Sequence, residues 1–204
     1  MTNNWLKVRA ELYAKYAAER PRCSDVHFEY SKPEYGWITL KIYVNTDSDR
    51  CVELELSNVD EPFVPFVKWL ESILENRYTG ASVLKVDSEL CDSISFTFYF
   101  EPILYCEGWD IDSEPFPSSC GIFYIYDNRK KAIVCDAYCE MDNFVRQRYL
   151  ELRQYAKEME REPTFVEHWV TGAYNKEWGD CESEAEEIAL FGKMIRSRKI
   201  NART

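Results

Sequence analysis

Apolar residues at the amino-terminal end recur every three or four positions, at Trp5, Val8, Leu12 and Tyr16. This spacing predicts a helix over residues 3–19. The period then changes to two, because apolar and polar side chains alternate over residues 26–30, 37–44 and 51–57. Alternation of this kind predicts three strands, each with one face turned inward. The polar residues 45–50 predict a turn that joins the second and third strands as a hairpin.

The middle of the chain combines one strongly apolar helix with four further strands. An apolar stripe runs from Pro62 to Leu74 and predicts a helix packed against the sheet. The four strands are predicted at residues 81–87, 94–100, 122–126 and 132–137, the last two joined by a tight turn. Pro102 is expected to end the second of these strands. Residues 107–119 hold two prolines and four acids, and they predict a loop.

The last third of the chain has a helical pattern. An amphipathic stripe over residues 141–161 stops before Pro163, and capping boxes at Thr164 and Ser183 begin two further helices. The order of elements predicts an α+β fold. We expect a mostly antiparallel sheet of about six to seven strands, packed with an N-terminal helix, one central helix and a helical C-terminal third. The prediction is one domain over residues 1–204, with 141–204 as a C-terminal helical subdomain.

The charge of the chain is concentrated in its middle. The net charge is −11, from 36 acids and 25 bases. Residues 51–127 hold 15 acids and three bases, so they carry the whole imbalance. Such a surface repels the phosphate backbone of nucleic acids and the surface of anionic membranes, so we expect neither as a partner. A basic protein partner suits the charge better.

Targeting signals and metal motifs are missing from the sequence. The first residues lack the apolar stretch of a signal peptide, and no run is long enough to span a bilayer, so a cytoplasmic location is expected. The eight cysteines are therefore predicted to be free thiols. No CxxC pair and no phosphate-binding glycine loop occurs, and neither a metal nor a cofactor is expected.

Residues that could support catalysis are few. Neither His27 nor His168 has a serine or cysteine at a known motif spacing, although folding can bring distant side chains together. The acidic runs 45–49 and 110–114 resemble the start of a calcium loop but lack its glycine and its final glutamate. No catalytic residue is assigned, and the pattern leans away from an enzyme.

Aromatic residues in predicted irregular segments are the most informative anomaly. The candidate partner-binding residues are Trp109, Asp110, Asp112, Glu114, Phe116 and Trp178. Tryptophan and phenylalanine ringed by acids are typical of a protein interface. We therefore predict a protein-binding module, such as an inhibitor or immunity-type protein that neutralises a basic partner. Two alternatives remain open: a small hydrolase with a carboxylate- or Cys/His-based site, and a self-associating structural protein. The sequence does not fix the oligomeric state.

Overall fold

The computed structural model describes residues 3–18, 22–45, 47–57, 62–77, 80–87, 94–105, 116–162, 192–193 and 195–201. Within these residues the chain forms four helices and seven strands, which confirms the predicted α+β class. The helices are α1 (Asn3–Ala18), α2 (Phe63–Glu75), α3 (Met141–Met159) and α4 (Arg198–Asn201). The strands are β1 (Val26–Tyr30), β2 (Trp37–Val44), β3 (Asp47–Ser57), β4 (Ser82–Asp87), β5 (Ile94–Tyr105), β6 (Phe116–Asp127) and β7 (Ala132–Glu140).

The seven strands are antiparallel as predicted, but they form two sheets instead of the single sheet that was expected. The first sheet has the order β1-β2-β3, and every second side chain of β2 is buried, as the alternation predicts. The turn between β2 and β3 is tighter than the expected span of 45–50, because Val44 already pairs with Asp47. Asn45 adopts a positive φ of 59°, a conformation that asparagine tolerates better than most residues. The hairpin is confirmed, and its turn is shorter than predicted.

The second sheet is a four-stranded meander in the order β4-β5-β6-β7. The prediction that Pro102 ends its strand is wrong, since β5 continues to Tyr105. Pro102 lies opposite Gly121, at a place where the register shifts, and such an irregularity tolerates a residue without a backbone N–H. The predicted loop 107–119 is also too long, because β6 begins at Phe116, which pairs with Tyr105.

The main core lies between the inner faces of both sheets and the helices α2 and α3. The apolar stripe of α2 is buried as predicted, with Leu70 completely inaccessible. Its Trp69 contacts the aromatic rings of Phe98, Phe123 and Phe144, so one indole joins the second sheet to α3. The helices predicted to begin at Thr164 and Ser183 start outside the described residues, and α4 is a single short turn.

Helix α1 covers the opposite face of the four-stranded sheet. Its Leu12 packs with Ile122 and Tyr124 in a small second cluster, to which Tyr13 and Tyr16 add their rings. The first helix therefore contributes to a separate, more polar layer. In the described part of the chain, no helix is long and apolar enough to cross a membrane.

Candidate functional site

The candidate residues predicted from the sequence lie almost entirely beyond the described ranges. Trp109, Asp110, Asp112, Glu114 and Trp178 fall outside the described residues, as does His168. Phe116 is the exception. It begins strand β6, where its backbone pairs with Tyr105, so it stands in a strand rather than in the predicted loop.

A groove between β1 and α3 is one of several concave surfaces in the described part of the chain, and we take it as the candidate site. Strand β1 is an edge of its sheet, and α3 packs along it. The groove encloses about 410 Å³. It is lined by His27, Phe28, Glu29, Tyr30, Leu150, Glu151, Gln154, Tyr155 and Glu158.

A buried arginine organises one wall of this groove. The side chain of Arg148 is only 4% exposed, and its Nε and Nη2 atoms donate to Glu151 at 2.5 and 2.6 Å. The guanidinium also lies 5.3 Å from the ring centre of Phe28, a distance typical of a cation–π contact. A bidentate pair with an aromatic neighbour is the arrangement in which a buried arginine is best satisfied.

Glu151 links α3 to the open edge of β1. It accepts a hydrogen bond from the backbone N–H of Phe28 at 3.2 Å, and its Oε1 lies 2.6 Å from Nδ1 of His27. The Phe28 N–H points away from β2, so without this carboxylate it would be an unpaired group on the edge of the sheet. The His27 ring stacks against Tyr43, and its side chain is 54% exposed. Glu151 therefore acts as a structural link that also orients an accessible histidine.

The charge of the groove is not balanced. Glu29 and Glu158 are both exposed, and neither forms an ion pair with another described residue. Beside them lie the rings of Tyr30 and Tyr155, whose centres are 5.1 Å apart, and the side chain of Leu150, which is 46% exposed. Burial raises the pKa of Tyr30, which keeps its hydroxyl neutral. The groove thus offers negative charge next to apolar surface.

A second polar cluster lies under α1, on the other side of the molecule. Glu101 is buried at 2% exposure and accepts hydrogen bonds from Arg9, Tyr13 and Tyr124. The Arg9 Nε atom lies 3.0 and 2.9 Å from the two carboxylate oxygens. Burial and the bond to Glu101 raise the pKa of Tyr13 to about 12. Because every described polar group around Glu101 is engaged, this cluster fastens α1 to the sheet and leaves no ligand-binding group free.

Metal chemistry finds no support among the side chains that can be described. The described residues contain no group of three or more histidine, cysteine, aspartate or glutamate side chains placed to hold an ion.

Comparison with known protein families, curated proteins and solved structures gives no match for this chain. The inference of function therefore depends on the geometry alone.

Sequence reasoning missed the groove almost completely. His27 and Glu151 are 124 positions apart, and no motif spacing connects them. The one local signal was on α3, where Arg148 and Glu151 are three residues apart and so lie on the same side of the helix. That spacing also occurs on many solvated helix faces, so it does not by itself indicate a site.

Proposed function

We propose that this protein is an acidic binding module that docks a basic protein partner, as an inhibitor or immunity-type protein would. The observation that carries the proposal is the groove between β1 and α3, where Glu29 and Glu158 form no ion pair with another described residue and lie beside an apolar surface. The net charge of −11 favours the approach of a basic partner to the molecule as a whole, while the groove residues, which all lie outside the acidic segment 51–127, act at contact.

The groove suits the side chains of lysine and arginine in particular. Their long aliphatic stems pack on apolar and aromatic surface, while their charged ends stay with carboxylates or water. Leu150 and the accessible part of Tyr30 would contact the stems, and Glu29 and Glu158 would pair with the charged ends. Exposed ion pairs are weak singly, so the affinity is expected to come from several of them together with the apolar contacts.

The aromatic residues predicted from the sequence remain part of this proposal. Trp109, Phe116 and Trp178 are the proposed anchors, ringed by Asp110, Asp112 and Glu114. Anchors of this kind bury a large area at the centre of an interface. The groove and the anchors are two separate hypotheses about where the same partner binds, and variants of each distinguish them.

The test is a pull-down from the source lysate with three forms of the protein, at low and at high salt. The groove variant carries Glu29→Lys and Glu158→Lys. We expect the unmodified protein to retain a discrete basic protein at low salt and to release it at high salt. The affinity of the groove variant for the identified protein should be at least about tenfold lower, because each charge reversal replaces an attraction by a repulsion.

The matched control carries Glu11→Lys and Glu75→Lys, which change the net charge by the same amount. Both carboxylates are exposed, at 67% and 54%, and both lie outside the groove. The control should retain the partner nearly as well as the unmodified protein. Equal loss in both variants would show that only overall charge matters, and an empty eluate would count against the proposal.

Alanine at Trp109, Phe116 or Trp178 tests the anchors with the same identified partner. A true anchor should lose about 2 kcal/mol or more of binding free energy. Losses below about 0.5 kcal/mol at all three, together with a strong effect of the groove variant, would assign binding to the groove alone.

An enzymatic function has one supporting observation, the contact between His27 and Glu151. A histidine held by a carboxylate resembles the base of a hydrolase. Two facts weigh against it: no described hydroxyl or thiol forms a hydrogen bond with the His27 ring, and Glu151 is already bonded to Arg148 and to the Phe28 N–H. Self-association is checked on the same samples, from the molecular mass of the purified protein in solution.

A further inference from the structure

Two cysteines from distant parts of the chain lie next to each other at one end of β7. The Sγ atoms of Cys23 and Cys120 are 4.0 Å apart, although the residues are separated by 97 positions. Both are held close to the end of the same strand. Ser24 donates its N–H to the carbonyl oxygen of Tyr138, and Cys120 pairs with Glu140 across the sheet.

The two thiols differ from the other cysteines nearby. Cys23 is exposed and Cys120 is partly exposed, whereas Cys135 and Cys139 are buried in the main core. Burial raises the pKa of both Cys139 and Cys23, so exposure rather than a lowered pKa distinguishes the outer pair. Reagents in solution therefore have access to the outer pair and not to the inner one.

We propose that Cys23 and Cys120 are a thiol-modification site that forms a reversible intramolecular disulfide by exchange with a low-molecular-weight disulfide. The thiolate of one cysteine attacks the reagent disulfide, which releases one small thiol and leaves a mixed disulfide. The thiolate of the other cysteine then displaces the second small thiol. The protein loses two protons and two electrons, and the reagent is reduced to two thiols.

The geometry requires only a local movement. A disulfide bond is about 2.05 Å long, so the two sulfurs must approach each other by roughly 2 Å. Cys23 precedes β1 in a segment without regular structure, so a change of its rotamer with a small backbone shift can bring the sulfur closer to Cys120. The bond would join the start of β1 to β6, and it would close a long loop of the chain. A reversible pair of this kind is compatible with the reducing compartment expected from the sequence.

The experiment treats the folded protein with oxidised glutathione and maps the peptides by mass spectrometry without reduction. We expect a cross-linked peptide pair containing Cys23 and Cys120, with the loss of two hydrogen atoms, reversed by dithiothreitol. The oxidised protein should melt roughly 5–15 °C higher than the reduced one, because the cross-link restricts the unfolded chain.

Three serine variants complete the design. Cys23→Ser and Cys120→Ser should each abolish the cross-link and leave the remaining thiol carrying glutathione. Cys51→Ser, which changes another partly exposed cysteine, should leave the cross-link and the melting shift intact. The proposal is overturned if the unmodified protein carries only glutathione adducts, if the cross-link involves other cysteines, or if no thiol reacts.

Discussion

At the scale of single residues, Glu101 depends on its neighbours more than most acids in this chain. The carboxylate is buried on a strand, and it is bonded to Arg9 and Tyr13 of α1 and to Tyr124 of the adjacent strand. A buried charge in such a position is stable only while its partners remain. In the sequence, Glu101 is simply a polar residue before Pro102, and the local pattern does not indicate that its side chain is buried.

Glu101→Gln should lower the free energy of unfolding by about 2–4 kcal/mol, because the amide cannot compensate Arg9 and its NH₂ group faces other donors. Chemical denaturation measures the change. Glu53→Gln is the matched control, since Glu53 forms an exposed pair with Lys41 and should change stability by less than about 0.5 kcal/mol. A loss below about 1 kcal/mol at Glu101 would contradict the view that its pair with Arg9 holds α1 against the sheet.

Gly121 is a second residue whose identity is fixed by its surroundings. A Cβ atom at this position would lie 2.4 Å from a ring carbon of Phe100 and 2.7 Å from the backbone oxygen of Glu101. Neither neighbour can move freely, because the ring is buried and the oxygen belongs to the sheet. The glycine therefore allows β5 and β6 to approach each other beside Pro102.

Gly121→Ala should destabilise the protein by about 2–3 kcal/mol through overpacking. Gly192→Ala is the control, since its added Cβ would meet nothing closer than 3.8 Å. Thermal melts of the two variants, measured side by side, provide the comparison. If both variants melt within a degree or so of the unmodified protein, the tight contact at Gly121 is not a real constraint.

At the scale of elements, the helix α1 was predicted at the correct position, but the partners of its charged side chains were not predicted. The spacing located the helix well, and it ends at Ala18. Two of its charged side chains contact the sheet, since Arg9 bonds to the buried Glu101 and Lys15 pairs with Asp136. Helical spacing shows which residues share a face, but it does not show which polar groups the covered sheet presents to that face.

The attachment of α1 should weaken in alkali. The pKa of Tyr13 is raised from 10.0 to about 12, chiefly by burial and then by its bond to Glu101, and those of Tyr16 and Tyr124 are raised for similar reasons. Between pH 10.0 and about pH 12, the unfolded chain has lost the Tyr13 proton, whereas the folded chain still holds it. The contribution is therefore complete below pH 10.0 and is lost as the pH rises through about 12.

Denaturation at about pH 9 and about pH 11 measures this loss, and stability should be lower at the higher pH. Tyr13→Phe removes one of the titrating groups, so its stability should fall less steeply over the same interval. Identical slopes for the variant and the unmodified protein would mean that Tyr13 does not contribute to the alkaline loss.

At the scale of the whole molecule, the acid-rich composition and the groove lead to the same expectation. Net charge acts over distances near the Debye length and affects how fast a partner arrives, whereas the groove acts at contact and affects how long it stays. Salt should therefore slow association for both charge-reversed variants, and of these two only the groove variant should also dissociate faster. This difference separates general attraction from specific docking.

The division of the strands into two sheets could not be predicted from the pattern. Alternation over 37–44 correctly identified a strand and its inward face, and alternation over 94–100 correctly identified part of β5. It could not determine which strands pair, because backbone hydrogen bonds are the same for every pairing. Helix α2 lies between β3 and β4 in the chain and packs its apolar stripe in the core shared by both sheets.

The sequence by itself determined the α+β class, the positions of most helices and strands, and the sign of the surface charge, because these depend on neighbouring residues and on composition. Only the tertiary structure decided that Glu151 meets His27, that Glu101 is buried under α1, and that Cys23 lies beside Cys120. These contacts join residues 88 to 124 positions apart. Such pairs are brought together when the two sheets and the helices bury a common core, and local patterns carry no information about that packing.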